Sequence, residues 1–73
     1  MSGKIPALTG GQLIAILLRH GFEIVRQSGS HVILKHPDGR RATVPVHAGR
    51  DLGKGLLRQI MRDANLAVDD LKL

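Results

Sequence analysis

The spacing of hydrophobic residues changes twice along this chain, and this change constrains the fold more than any other feature. Apolar residues recur at helical spacing from Leu13 to Leu18, alternate with a period of two across residues 22–46, and return to helical spacing across residues 53–64. These periods predict a helix, a set of strands and a second helix. A chain of 73 residues has room for one small domain, predicted to span residues 1–73.

The ends of both helices carry recognisable signals. Thr9 followed three residues later by Gln12 has the spacing of a capping box, so the first helix is predicted to begin there. Gly21 is placed to end it. The second helix is predicted from about Gly53 to Ala64, with Asn65 as a left-handed stop. Its predicted buried stripe consists of Leu56, Leu57, Ile60, Met61 and Ala64.

Turn residues divide the middle of the chain into three strands. The turns are predicted at Ser28-Gly29-Ser30 and Pro37-Asp38-Gly39. The third strand contains Pro45, which has no N–H to donate, so this strand is predicted at a sheet edge or to end there. The strands are predicted over residues 22–27, 31–36 and 41–46. The result is an α+β fold of order α-β-β-β-α, with two helices on one face of a three-stranded antiparallel sheet.

Strand parity predicts which side chains face the helices, because successive side chains point to opposite faces. The more apolar set is predicted to face inward and consists of Phe22, Ile24, Val32, Leu34, Ala42, Val44 and Val46. Regular alternation places Arg26 on the same side as Phe22 and Ile24. The predicted outer face carries His31, Ile33, Lys35, Arg41, Thr43 and, where the strand extends that far, His47. So few apolar groups predict a surface for water or a charged ligand.

Composition excludes several classes of function. Eleven Lys and Arg against six Asp and Glu give a net charge of +5, which favours a polyanionic partner such as nucleic acid. A single aromatic residue, Phe22, argues against base-stacking platforms. The absence of cysteine excludes disulfides and Cys-ligated metals. Residues 1–8 are predicted to be a loose leader and residues 68–73 a final short turn. With no apolar run of membrane or signal-peptide type, the chain is predicted to be cytoplasmic.

The four histidines receive different interpretations. His31 follows Gly29-Ser30 on the predicted open face, where a histidine is either a general base or acid near neutral pH or simply a solvated strand residue. His36 has the other parity and is interpreted as a turn-capping or partly buried residue. His47 is a candidate second group or a loop histidine, and His20 is interpreted as structural at the end of the first helix. Their mixed parity predicts no metal site, and no cofactor is expected.

A basic stripe on the second helix indicates a function more specifically than the histidines do. Lys54, Arg58 and Arg62 recur at intervals of four residues, on one face of the second helix. Together with Lys35, Arg40, Arg41 and Arg50 they are predicted to form a continuous band for phosphates. The alternative is a solvated helix face. Gly53-Lys54-Gly55 lacks the spacing of a phosphate-binding loop, which excludes a nucleotide-hydrolysing function.

Several short motifs occur together in this chain. They are Gly29-Ser30-His31 followed by His36-Pro37, then Val44-Pro45-Val46-His47, then Gly53-Lys54-Gly55 with Asn65-Leu66. This combination resembles the HicA (YcfA-like) toxins, the small ribonuclease partners of HicA–HicB toxin–antitoxin systems. The resemblance covers nearly the whole chain from Thr9 onward. Ala67 departs from the family pattern, which often has Ser or Thr before the last short helix, and so leaves the cap of that helix in question.

The resemblance implies a fold similar to the double-stranded RNA-binding domain. It also implies a metal-independent endoribonuclease acting on messenger RNA and neutralised by a HicB antitoxin. The catalytic histidine of the family corresponds to His31, with Gly29 and Ser30 as its motif neighbours. The expected RNA-binding residues are Gly29, Ser30, Lys35, Arg41, Lys54, Arg58 and Arg62.

Two other functions fit the same features. The fold and its basic band suit a module that holds double-stranded RNA by shape without cleaving it. The basic face also suits an interaction protein whose partner is acidic, and an antitoxin that covers the RNA-binding face would combine this interpretation with that of a toxin.

Overall fold

A computed structural model describes residues 4–72 and has the predicted element order. Two helices and three strands follow one another as α-β-β-β-α, and a 3₁₀ helix comes last. The elements are α1 (Gly10–Arg19), β1 (Glu23–Ser28), β2 (His31–Lys35), β3 (Arg41–Pro45), α2 (Lys54–Ala64) and the 3₁₀ helix (Val68–Leu71). The α+β class predicted from the hydrophobic periods is confirmed.

The predicted helix ends are also confirmed. The hydroxyl of Thr9 accepts a hydrogen bond from the N–H of Gln12 at 3.2 Å, and the side chain of Gln12 accepts one from the N–H of Thr9 at 3.0 Å. Gly21 follows α1 with φ 92°, and Asn65 ends α2 with φ 56°. Both residues adopt the left-handed conformation that stops a helix.

The three strands form an antiparallel meander with β2 in the centre. Gly29 (φ 59°) lies in the turn between β1 and β2, and Gly39 (φ 100°) lies in the turn between β2 and β3, as predicted. Pro45 is the last residue of the edge strand β3, which confirms its predicted position. Val46 lies just beyond the strand and is partly buried against the core.

Both helices cover one face of the sheet and enclose a hydrophobic core. The predicted inward-facing residues that are buried there are Phe22, Val32, Leu34, Ala42 and Val44. The predicted burial is wrong for two residues, Ile24 and Leu56. Ile24 is 50% exposed, because it lies on the edge strand β1, far from β3, against which α2 packs. Leu56 is 41% exposed, because it lies at the flank of α2 and not on the side that carries Leu57 and Ile60 into the core.

A β-bulge changes the parity of β1. Ile24 pairs with Leu34, and Arg26 pairs with Ile33, so Val25 is an extra residue with no partner on β2. Paired residues of adjacent strands point to the same face. Arg26 therefore lies on the outer face with Ile33, whereas regular alternation predicted it on the side of Ile24.

The segment before α1 is attached to the core by Leu8 and, in part, by Ile5. Leu8 is 2% exposed, and its carbonyl accepts a hydrogen bond from the N–H of Leu52 at 2.7 Å. Leu8 of the predicted loose leader is therefore held against the core, and residues 1–3 of that leader lie outside the described part of the chain. The first residue of α1 has to be a glycine, because a Cβ at Gly10 would overlap the carbonyl oxygen of Pro45.

The final short turn is the 3₁₀ helix Val68–Leu71, and the predicted last residue, Leu73, lies outside the described residues. The carboxylate of Asp70 accepts a hydrogen bond from the N–H of Ala67 at 2.8 Å. Asp70 thus satisfies the start of this helix even though Ala67 has no polar side chain.

Candidate functional site

The outer face of the sheet carries nine residues in three cross-strand rows. The pairing of β1 with β2 and of β2 with β3 determines each row. The rows are Ser28–His31–Pro45, Arg26–Ile33–Thr43 and Glu23–Lys35–Arg41. We call this set the outer face. It holds three permanent cations, one acid and one histidine, so its net charge is positive even when the histidine is neutral.

His31 occupies the central strand in the first row, directly after the β1–β2 turn. Its side chain is exposed, and within residues 4–72 its imidazole makes no hydrogen bond. Gly29 has open space where a Cβ would lie, which leaves the backbone of the turn accessible to a bulky anion. The carbonyl of the half-buried Ser30 accepts a hydrogen bond from the N–H of Val46 at 2.6 Å, so the turn is fixed to the end of β3. The backbone around His31 is thus held in place while its ring is free.

Lys35 and Arg41 are paired with each other in the third row of the outer face, and both are exposed. Lys35 lies four residues beyond His31 on the same strand, a separation of about 13 Å. The structure therefore places these two predicted cations on the same face as His31 but at its far end.

An open groove of about 740 Å³ runs along the free edge of β3. Its lining includes His31, Thr43 and Pro45 from the sheet and Leu56, Gln59 and Asp63 from α2. The even-numbered residues of β3 make the hydrogen bonds to β2. The N–H groups of Arg41 and Thr43 therefore point away from β2, towards the groove. The groove thus offers backbone donors beside the outer face, with the carboxylate of Asp63 on its opposite wall.

The basic stripe of α2 lies in a different layer of the molecule. Lys54, Arg58 and Arg62 are exposed, and no side chain of the described residues forms an ion pair with them. None of them lines the groove that contains His31. Since α2 packs on the inner face of the sheet, the stripe and the outer face form two basic surfaces and not the single band that the sequence suggested.

Arg40 was predicted to belong to the phosphate band, but its guanidinium is already engaged. Its Nε donates to Asp38 Oδ2 at 2.8 Å, and its Nη1 donates to the carbonyl of Ala64 at the end of α2. The guanidinium carbon also lies 5.2 Å from the centre of the Phe22 ring. Arg40 therefore connects the β2–β3 turn to α2, which is a structural role.

His36 is held beside the same phenylalanine. Its ring meets Phe22 edge to face at 5.1 Å, and its Nδ1 accepts a hydrogen bond from the N–H of Asp38 at 3.1 Å. The N–H of Arg40 in turn donates to the carboxylate of Asp38, and this bond is the main reason that the pKa of Asp38 is lowered. The interpretation of His36 as a turn-capping, partly buried residue is confirmed. We call Phe22, His36, Asp38 and Arg40 the Phe22 cluster.

The remaining histidines are not among the nine residues of the outer face. His20 is the exposed C-cap of α1, and His47 is exposed in the loop after β3. Because β3 ends at Pro45, the strand does not extend to His47 as its parity would have required. Among residues 4–72 no group of three His, Asp or Glu side chains is placed to hold a metal ion.

The sequence analysis missed Arg26 as an outer-face cation. Its alternation with Ile24 gave the opposite face, and the extra residue Val25 carries no turn or glycine signal that would reveal a bulge. Arg26 is exposed, and within residues 4–72 its side chain has no ion-pair partner.

Comparison with known protein families gives a match for this chain. The model of the family described as the HicA toxin of bacterial toxin–antitoxin systems matches residues 10–66, which include every strand and both α-helices. A search of curated proteins finds no match. Within residues 4–72, no helix has both the length and the apolar character needed to cross a membrane.

Proposed function

Because this chain belongs to the HicA toxin family of bacterial toxin–antitoxin systems, for which an antitoxin partner is implied, we propose that it is an endoribonuclease that cleaves messenger RNA without a metal. The observation that carries this proposal is the position of His31, an exposed histidine on a positively charged face with its ring free for a ligand. RNA in the cytoplasm is the expected substrate.

RNA carries its own nucleophile, so the reaction needs only proton transfers and charge stabilisation. A base takes the proton of a ribose 2′-OH, and the 2′-oxygen attacks the adjacent phosphorus. The bond from phosphorus to the 5′-oxygen then breaks, an acid protonates that oxygen, and a 2′,3′-cyclic phosphate remains. His31 suits the base or the acid, since an exposed imidazole can both accept and donate a proton. Cations on the same face stabilise the charge of the phosphorane.

The arrangement of charge favours recognition of the RNA backbone. Phe22 is the only aromatic residue and is buried, which leaves no aromatic platform for bases. Lys35 and Arg41 are exposed at the far end of the outer face, where they suit a phosphate that neighbours the one at His31. Lys54 and its neighbours on the α2 stripe supply a second set of phosphate contacts on the other layer.

The proposal is tested by the His31→Ala variant, with His47→Ala as its matched control. Both remove an exposed imidazole, but only His31 lies on the outer face. We expect His31→Ala to lose RNA cleavage and growth arrest, whereas His47→Ala keeps both. A His31→Ala protein that still cleaves RNA and arrests growth would refute the assignment.

A second candidate function is a non-catalytic module that binds double-stranded RNA. The observation that favours it is the α2 stripe, three exposed cations in a layer that contains no histidine of the outer face. A gel shift that survives His31→Ala, with no fragments produced by the wild-type protein, would select this function.

The antitoxin partner is tested by co-expression with the product of the neighbouring gene. If that protein covers the outer face with an acidic surface, both toxicity and RNA binding will disappear. Toxicity that is unaffected by the neighbouring gene product would argue against such a partner.

A further inference from the structure

The β-bulge of β1 determines which cation lies nearest to His31. Ser28 is paired with His31, and Arg26 is two residues from Ser28 on the same face of β1. Diagonal neighbours of this kind on adjacent strands have their Cα atoms about 7–8 Å apart. Lys35 and Arg41 lie two rows from His31, about 13 Å along the strands. Arg26 is thus the permanent cation of the outer face closest to the histidine.

The side chain of Arg26 is free to use this position. It is exposed, and among the described residues no carboxylate forms an ion pair with it. The one acid of the outer face, Glu23, lies in the third row opposite Lys35, two rows from His31. The half-buried Ile33 lies between Arg26 and Thr43, so the middle row contains no acid.

We propose that Arg26 is a catalytic residue that binds the scissile phosphate of RNA at His31. This inference rests on the proposed ribonuclease function and adds the group that stabilises the phosphorane. The planar guanidinium donates two parallel hydrogen bonds to the non-bridging oxygens, which carry additional negative charge as the 2′-oxygen attacks. Lys35 and Arg41 then bind a neighbouring phosphate of the same RNA strand. The RNA strand thus crosses the outer face from the first row to the third.

Arginine suits this task better than lysine would. Its guanidinium stays charged and presents donors in a fork that matches two phosphate oxygens, whereas an ammonium is a point charge. The role therefore distinguishes Arg26→Lys, which keeps the charge, from Arg26→Gln, which removes it.

The experiment measures cleavage and binding separately with the full chain. Single-turnover cleavage of a transcribed messenger RNA, with protein in excess, gives the rate constant of the chemical step. Binding is measured on the same RNA with every 2′-OH methylated, which removes the nucleophile. The variants are Arg26→Gln, Arg26→Lys and Lys35→Gln. Lys4→Gln is the charge-matched control, because Lys4 is exposed beside the 3₁₀ helix, next to Val68 and Leu71, and is not part of the outer face.

We expect Arg26→Gln to lower the rate constant by about 100- to 1,000-fold, the effect of removing one donor to a developing oxyanion. Binding of methylated RNA should weaken by less than about tenfold, the effect of one lost phosphate contact. Arg26→Lys should fall between the wild type and Arg26→Gln. Lys35→Gln should weaken binding at least as much and should lower the rate constant far less than Arg26→Gln does. Lys4→Gln should match the wild type in both measurements.

Three results would overturn the proposal, and they separate it from the function on which it rests. If Arg26→Gln cleaved at the wild-type rate while His31→Ala was inactive, the ribonuclease function would stand and the role of Arg26 would fall. If Arg26→Gln behaved like Lys35→Gln, Arg26 would only help to bind RNA. If the wild-type protein bound RNA without cleaving it, both proposals would fail. Circular dichroism and the melting temperature of each variant show whether it is folded.

Discussion

Two pairs of histidine and arginine in this small protein have opposite surroundings. In the Phe22 cluster, His36 packs against the phenylalanine ring, and Arg40 donates to Asp38 and to the end of α2. On the outer face, His31 and Arg26 are both exposed, and within residues 4–72 their side chains have no hydrogen bond or ion pair. The same residue types thus hold the fold together in one region and are available to a ligand in the other. Satisfied bonding capacity, and not residue type, separates the two roles.

The largest expected difference is between the alanine variants of His31 and His36. His31→Ala should reduce RNA cleavage by about 100- to 10,000-fold with little change in stability, because it removes the proposed proton-transferring group from an exposed site. His36→Ala should keep the cleavage rate per folded molecule and lower the melting temperature. Single-turnover kinetics and thermal unfolding of both variants measure these effects. Equal loss of cleavage in the two would remove the distinction between the regions.

The next effect concerns Arg40. Its replacement by alanine should destabilise the protein by about 2 kcal/mol, because the carbonyl of Ala64 and the Phe22 ring lose a partly buried charged partner. Urea unfolding measures the change. Arg41→Ala is the matched control, since its neighbouring guanidinium is exposed on the outer face. A larger loss of stability in Arg41→Ala than in Arg40→Ala would contradict the structural role of Arg40.

Two glycines also differ between these regions, since Gly21 lies against the Phe22 cluster and Gly29 lies beside His31. Gly21→Ala should cost about 1–3 kcal/mol, because its φ of 92° is unfavourable for alanine and the new Cβ would lie 2.9 Å from Nε2 of His36. Gly29→Ala should cost less, because φ is 59° and the surrounding space is open. Thermal unfolding ranks the two variants. The reverse order would mean that the Phe22 cluster tolerates displacement.

The smallest expected effect is the pH dependence that Asp38 contributes. Hydrogen bonding by Arg40 lowers the pKa of Asp38 in the folded protein from its ordinary value of 3.8. The stabilisation is therefore present above that ordinary value and is lost as the pH falls through the lower folded pKa. Asp38→Asn should remove this part of the acid sensitivity, which urea unfolding at a series of pH values would detect. An unchanged pH profile would show that the carboxylate contributes nothing measurable.

The fold follows largely from local sequence signals. The capping box of Thr9, the stop at Asn65 and the turn at Gly39 each depend on residues within a few positions of one another, and all were predicted. The outer position of His31 also follows from local alternation, since β2 contains no irregularity.

The departures from prediction have non-local causes. The bulge at Val25 shifts the register of β1 against β2, so the face of Arg26 depends on pairing with a different strand. The engagement of Arg40 depends on Ala64, 24 residues away. The exposure of Ile24 depends on how far the helices extend across the sheet, which the spacing within one strand does not encode.

The most direct test of the account is the chemistry of the RNA ends that the protein produces in the presence of a metal chelator. The account predicts fragments that end in a 2′,3′-cyclic phosphate, formed by wild-type protein and absent with His31→Ala. It also predicts that RNA with a 2′-deoxyribose at the cleaved position is not cut. Fragments that appear only when a divalent metal is supplied, or cleavage that continues at the 2′-deoxy position, would contradict it.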